Sequence, residues 1–311
     1  EVITSKGLVF KMIYGDSMKN NIIDLLYGLG LSTRDSLQVF HPKVRDRENL
    51  NVLKCGKSGV IVLEEILTNQ FYYESNVNYT QSSKVELVNE EIETKPLEDD
   101  IRRFESLESL IADSDVLDFG CGRGGFLQLT QKISRKSVGI ELNEVNRKNI
   151  NDQGIDCVKS ISQLSDGDSF DLITLHHVFE HLIDPIGVLN DLQKHLKDDG
   201  VIVVEVPHAR DLLLETFNLK SFKDFTFWSE HLILHTEESL ATFARESGLV
   251  VKEIKGFQRY PVSNHFNWLL NGEPSGHDSF SHLNNPEFHK QYEKLLVNVG
   301  QTDTIIGYFG I

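Results

Sequence analysis

The chain has 311 residues, 40% of them hydrophobic and 25% charged, with a formal net charge of −16. That length allows one large domain with appendages or two domains, and no apolar run approaches the roughly 20 residues that span a bilayer. The negative charge opposes a polyanionic partner, so no nucleic acid is expected, and three cysteines, Cys55, Cys121 and Cys157, are too few for a disulfide framework and fit a reducing cytoplasm.

The N-terminal stretch EVITSKGLVFKM lacks the long apolar core of a signal peptide. Asn20–Leu29 is the first helical pattern, and Gly59–Leu63, β-branched and bounded by glycine, reads as a strand. Between them, Lys43-Val-Arg-Asp-Arg47 reads as a solvated basic loop. Glu86–Asp100 holds seven acidic residues against one lysine and contains Pro96, the mark of an exposed connector. Ile101, Phe104, Leu107, Leu110 and Ile111 have helical spacing and lead into the main domain.

From there strands and helices alternate. Strands are expected at Asp115–Phe119, Ser137–Leu142, Asp156–Val158, Phe170–Leu175, Val201–Val206, Leu249–Ile254 and Thr304–Phe309. Helices are expected from the glycine loop to about Ser134, over Asn143–Gln153, over Pro185–Lys197 and over Glu237–Ser247, where Gly248 supplies a C-cap. This is an α/β fold: a doubly wound, Rossmann-like, mostly parallel sheet covered on both faces. The expected organisation is a small N-terminal module at 1–95, a connector and helix at 96–111, and the main domain at 112–311. Two long insertions, 209–235 and 259–300, read as lid segments.

Gly120-Cys-Gly-Arg-Gly-Gly125 contains G-x-G-x-x-G between a strand and a helix. Glu141 ends the next strand, 21 residues after Gly120, where a carboxylate can accept both ribose hydroxyls of a nucleoside. The nucleoside is either a dinucleotide or S-adenosylmethionine (SAM). A pyrophosphate at the helix N-terminus would be repelled by Asp118, two residues before Gly120. SAM has no phosphate and carries an ammonium and a sulfonium, which that carboxylate suits. A purely structural Asp118, tying down the loop, is the alternative. Cys121, inside the loop, reads as a small packing residue rather than a nucleophile.

Four motifs in order carry a resemblance: Val116–Gly125, Val138–Leu142, Phe170–Thr174 with His177–Pro185, and Leu196–Pro207. Together they resemble the class I SAM-dependent methyltransferases over roughly residues 112–256. The resemblance implies a seven-stranded sheet whose last strand is antiparallel. It implies that Asp118, Gly120 and Gly122 hold the methionine end of the cofactor and that Glu141, with Leu142, holds the ribose. It places Lys159, Ser160 and Ile161 beside the adenine and His176 near the cofactor.

Methyl transfer is an in-line displacement in which the enzyme positions the acceptor and excludes water. A hydroxyl acceptor needs a general base, usually histidine. His177 and His181, at the end of the fourth strand, and His231, in the first insertion, are the expected catalytic residues. His231 and His235, four apart, would share a face in a helix. His177-Val-Phe-Glu-His181 also matches H-x-x-E-H, but a zinc protease needs that string inside a helix. Some methyltransferases of this class, including small-RNA 2′-O-methyltransferases and ubiquinone-pathway O-methyltransferases, hold a divalent ion with an acid-x-x-Glu-His string. Here His177 replaces the first acid. The set such an ion would use is His177, Glu180, His181 and His231, with His235 as a further ligand, but no metal is expected.

The flanks bear on the acceptor. Cys55–Leu63 resembles the N-terminal module of methyltransferases from bacterial sugar and cell-surface glycan pathways, with one cysteine where those modules carry a zinc knuckle. Gln258–Trp268 and Gly276-His277 extend that likeness. The expected activity is O-methylation of a sugar, glycan precursor or related small polar metabolite, with Tyr79, Phe227, Trp228, Tyr260 and Trp268 free to stack on a sugar face or to form a lid core. C- or N-methylation of a nucleotide sugar, a NAD-binding oxidoreductase and a non-catalytic binding protein are the alternatives.

Overall fold

A computed structural model describes residues 2–3, 9–10, 18–66 and 95–311. Tyr72, Tyr73, Tyr79 and most of the acidic connector lie outside the described residues. Two small antiparallel pairings, Val2–Ile3 with Val9–Phe10 and Met18–Lys19 with Glu65–Ile66, flank the first unit.

Helix α1 (Asn21–Gly28) is capped by the Asn20 side chain and buries Ile22, Ile23 and Leu26. Strands β1 (Leu37–His41), β2 (Val52–Cys55) and β3 (Ile61–Leu63) follow as an antiparallel meander. Helix α2 (Glu98–Ile111) starts inside the predicted connector, with three acidic residues in its first turn. Those charges complement the helix dipole. Leu107 and Ile111 face the core, whereas Ile101 is 43% exposed and is not part of the apolar face.

The main domain alternates β4 (Asp115–Phe119), α3 (Gly125–Thr130), β5 (Lys136–Ile140), α4 (Glu144–Asp152), β6 (Asp156–Val158), β7 (Phe170–His176), α5 (Pro185–Gln193) and β8 (Leu196–Pro207). Helix α3 stops four residues short of the predicted end. Helix α5 also ends early, because Leu196 already pairs with Phe170. Strand β8 begins at Leu196 rather than at the predicted Val201, and its pairing with β7 slips between Phe170 and Leu172.

Helices α6 (Leu212–Glu215) and α7 (Lys220–Thr226) and strand β9 (Ile233–Leu234) occupy the first insertion. Helix α8 (Glu237–Glu246) and strand β10 (Val250–Phe257) return to the main sheet. The second insertion is helical, with α9 (Val262–Asn271), α10 (Gly276–Ser279) and α11 (Pro286–Val299), and β11 (Thr304–Gly310) closes the chain.

The seven-stranded sheet has the order β6-β5-β4-β7-β8-β11-β10, with β11 antiparallel to both its neighbours. Strands β4 and β7 lie side by side near its middle, the strand order reverses between them, and the ends of β4, β5 and β7 surround one crevice. The first insertion is not a free lid. Its strand β9 pairs with β3 and completes a four-stranded sheet, β9-β3-β2-β1, with the N-terminal unit. His231 and His235 therefore do not share a helix face; they flank a short strand. Among the described residues no helix is long and apolar enough to cross a membrane.

Candidate active site

The crevice has two sides. On the first, β4 delivers Asp118 and then turns through the glycine loop. Gly120 has φ +75°, and a Cβ there would fall 2.5 Å from Val178 Cγ2. Gly122 has φ +55°, and a Cβ there would meet nothing within 4 Å, so the loop opens onto free space at that point. Both positions favour glycine, the first by close packing and the second by backbone conformation alone.

Glu141, just past β5, is buried; its carboxylate accepts from Gly122 N at 2.8 Å and Asn143 N at 2.7 Å. It thereby ties the glycine loop to the end of β5. Burial raises its pKa against those two hydrogen bonds. Leu142 is half-buried, and its carbonyl accepts from Arg147 at 3.1 Å. At the end of β6, Ser160 and Ile161 enter a short 3-10 turn, Ile161–Gln163.

Asp118 accepts a 2.7 Å hydrogen bond from Thr174 Oγ1 and lies 3.7 Å from His176 Nδ1. Burial pushes its pKa up to about 7, the Thr174 bond opposing. Burial also drives His176 well below its ordinary value, so the imidazole is neutral there. A buried carboxyl with no cation beside it favours its protonated form.

The second side starts where β7 ends. His177 has φ +53° and lies between two buried carboxylates, Nδ1 3.3 Å from Glu180 and Nε2 3.4 Å from Glu205. Burial alone would lower its pKa, but the two acids outweigh burial and raise it. Glu205, on β8, also accepts from Arg102 Nη2 and Arg103 Nη2, each at 2.8 Å. Arg102 reaches on to Asp99, which pairs with Arg259 from the second insertion. One charged chain thus runs from Glu180 to Arg259.

Glu180, His181 and His231 form a separate cluster whose ligand-type atoms all lie within 4.8 Å of one another. Burial would raise the Glu180 pKa, but His181 and His177 overcome it and hold it down at about 2. His181 Nδ1 lies 2.9 Å from the Glu230 carbonyl, which can only accept, so Nδ1 carries a hydrogen, while Nε2 lies 3.8 Å from Glu180 Oε1. The ring of His231 packs edge-on against that of His181 with centroids 4.9 Å apart. Burial lowers the His231 pKa to about 3. Glu180 Oε2 is buried with no hydrogen-bond partner. Two imidazoles and a buried carboxylate with one orphaned oxygen are a donor set that fits a divalent cation. His177 and His235 lie outside this cluster; His235 is fully buried, stacked on Phe179 and bonded to Ser239.

Several sequence expectations change. Phe227 and Trp268 are buried core residues, Trp268 packing against Phe222 and Phe225, so neither is free to stack on a ligand. The basic loop at 43–47 is not merely solvated: Arg45 stacks on Phe225 and Trp228, each at 4.7 Å, and Asp46 accepts from Ser229. Asp99 and Asp100 belong to α2 rather than to an exposed connector. Glu205, Arg102 and Arg103 were not anticipated. The one available cue was a glutamate inside the apolar run Val201–Val206, a place that demands a charged partner.

A mostly parallel sheet with a glycine loop, a buried acid after the next strand and a histidine cluster at its switch point is a doubly wound fold of the kind that takes a nucleoside cofactor. Residues 89–254 match the family model described as methyltransferase domain, more than half of the chain, and the chain belongs to that family. It is a class I SAM-dependent methyltransferase with SAM as its cofactor.

The chain is 29% identical over 132 residues to an uncharacterized protein of Methanocaldococcus jannaschii, covering 42% of this chain and 54% of that one. It thus spans about half the length of that relative. It is 26% identical over 175 residues to a ubiquinone biosynthesis O-methyltransferase of Actinobacillus pleuropneumoniae, covering 50% of this chain and 74% of that protein. A SAM-dependent methyltransferase structure from Archaeoglobus fulgidus superposes with a TM-score of 0.46 at 21% identity, covering 67% of this chain and 91% of that one.

Proposed function

We propose that this enzyme transfers the SAM methyl group to a hydroxyl of a sugar, glycan precursor or related small polar metabolite. The observation that carries this reading is the Glu180, His181 and His231 cluster at the end of β7, beside the cofactor crevice. Oxygen acceptors need a proton removed, and His181 has the fixed tautomer for it. His177, held between Glu180 and Glu205, is suited to carry a proton rather than to take one. We therefore assign the base to His181 and a supporting role to His231. The similarity to ubiquinone O-methyltransferases favours oxygen as the acceptor atom. Tyr260 remains exposed and is the aromatic that could meet a polar ring.

For the cofactor, we assign Asp118 to the methionine ammonium, Gly120 and Gly122 to the methionine backbone, and Glu141 with Leu142 to the ribose. Ser160 and Ile161 flank the adenine, and His176 lines the methionine side. The acid state of Asp118 supports this, since a cation is what completes it. The three free cysteines are in keeping with a cytoplasmic enzyme.

A second reading rests on Glu180 Oε2, which lacks a partner. In it Glu180, His181 and His231 hold a divalent ion, which would lower the pKa of a bound acceptor hydroxyl. The test is transfer from methyl-tritiated SAM into a pool of nucleotide sugars and glycan precursors, with and without EDTA, followed by identification of the labelled atom. Label on oxygen supports the reading and label on carbon or nitrogen overturns it. Transfer that EDTA abolishes and Mn²⁺ restores assigns the cluster to a metal; transfer indifferent to EDTA assigns His181 to the base.

A further inference from the structure

We infer that the N-terminal unit is a working part of the active site, with Asn20 as the positioning residue that sets His231 opposite His181. The inference rests on the reading of those two histidines as functional.

Asn20 is fully buried. Its side-chain amide donates to two carbonyls, Leu63 O and Leu232 O, each at 3.0 Å, while its Oδ1 accepts from Ile22 N. Leu232 directly follows His231. The Leu232 carbonyl also accepts from Leu63 N at 3.1 Å, and the Leu232 N–H donates to Glu180 O at 2.9 Å. One peptide segment is thus gripped on one edge by the N-terminal unit and on the other by the loop that carries Glu180 and His181. Asn21 extends the grip, donating to Ile183 O at 2.8 Å. Upstream, Asp46 accepts from Ser229 N and Oγ at 3.0 and 2.6 Å, and Arg45 N donates to Phe227 O at 2.8 Å.

Neither histidine sits on a long regular element. His231 lies in a turn before a two-residue strand, and His181 in a single 3-10 turn. Such segments hold a geometry only when their surroundings fix it. Here the fixing groups come from residues 20–66, more than 100 positions away from both histidines. The unit therefore acts as a clamp on two catalytic loops.

Asn20→Ser tests this in the full-length protein. Serine keeps an oxygen to cap α1 and removes both amide donors. SAM affinity by calorimetry counts folded sites and is expected to stay within about twofold of the wild type. Transfer per SAM-binding site is expected to fall roughly 10- to 100-fold, because small misplacements at a reacting centre carry costs of that size. Co²⁺ alone, added as a probe of the cluster, is expected to bind at least tenfold more weakly. Asp46→Ala, at the surface, breaks a second anchor without touching the buried amide and is expected to lower both readouts several-fold. Wild-type values of both in both variants overturn the inference. If at the same time His231→Ala loses transfer, the reading of the histidines stands and only the clamp is wrong. If His181→Ala and His231→Ala both transfer normally, the reading falls and the clamp with it. Should wild-type protein bind no Co²⁺, the transfer rate per SAM site decides for Asn20 alone.

Discussion

The two sides of the crevice solve the burial of carboxylates in opposite ways. On the cofactor side, Asp118 and Glu141 meet hydroxyl and backbone N–H donors, and burial leaves both pKa values raised. On the acceptor side, Glu180 and Glu205 meet His177, His181, Arg102 and Arg103, and both pKa values fall despite burial. A carboxylate paired only with neutral donors stays incomplete until a cation arrives. One paired with fixed cations is ionised before any ligand comes. That difference supports the proposed assignment of the first side to a cationic cofactor. The second is a charged frame around a small histidine cluster.

The largest expected effect falls on the acceptor side. His181→Ala should lower transfer by about 10²- to 10⁴-fold, the usual contribution of a general base, with SAM affinity nearly unchanged in calorimetry. A matching loss of SAM affinity would mean that the two sides are one site and would break the comparison. Next comes the frame itself. Glu205→Gln leaves Arg102, Arg103 and His177 without their shared carboxylate, and breaking a buried ion pair costs about 3–5 kcal/mol. Urea unfolding should show that loss; a change under 1 kcal/mol would make the frame ornamental.

Smaller effects probe the cofactor side. Asp118→Asn should weaken SAM binding by about 1.5–3 kcal/mol, the worth of a hydrogen bond to a charged group. Its pKa of about 7 also sets a pH dependence. Below pH 7 the carboxyl is protonated in the free enzyme, so SAM affinity should rise up to about tenfold per pH unit and level off above 7. The stability dependence has the opposite sign on the two sides. Asp118, raised from 3.8, erodes stability as the pH climbs from 3.8 to about 7. Glu180, lowered from 4.5 to about 2, contributes stability that is present above pH 4.5 and lost as the pH falls toward 2. Acid and neutral limbs of the unfolding curve of Glu180→Gln and Asp118→Asn should separate accordingly. The smallest effect is expected of Arg45→Ala, which removes stacking on Phe225 and Trp228 at a largely exposed site, about 0.5–2 kcal/mol in thermal unfolding.

The glycine loop and the acids beside it were legible because they are local. Asp118, Gly120 and Gly122 fall within five residues, and Glu141 ends the next strand. Strand alternation fixed where β4, β5 and β7 would end, and the seven-stranded sheet with its antiparallel last strand follows the expected pattern. The acceptor side was legible only in its residue types. His177, His181 and His231 were all visible in the chain, but their roles differ through partners that lie far away in sequence. Glu205 is 28 positions from His177, and Arg102 and Arg103 are more than 70 positions from it. The true place of the first insertion was hidden for the same reason. Ile233–Leu234 is too short to announce itself as a strand and exists because β3, some 170 residues earlier, offers it an edge.

By itself, then, the sequence determined the sheet, the glycine loop and the class of cofactor, since these depend on periodicity, backbone freedom and charges a few residues apart. The tertiary structure alone decided which histidine is bolted between carboxylates, which pair gathers around Glu180, and that residues 20–66 hold that pair in place. Those outcomes depend on burial and on long-range pairing, and neither quantity is carried by a local stretch of chain.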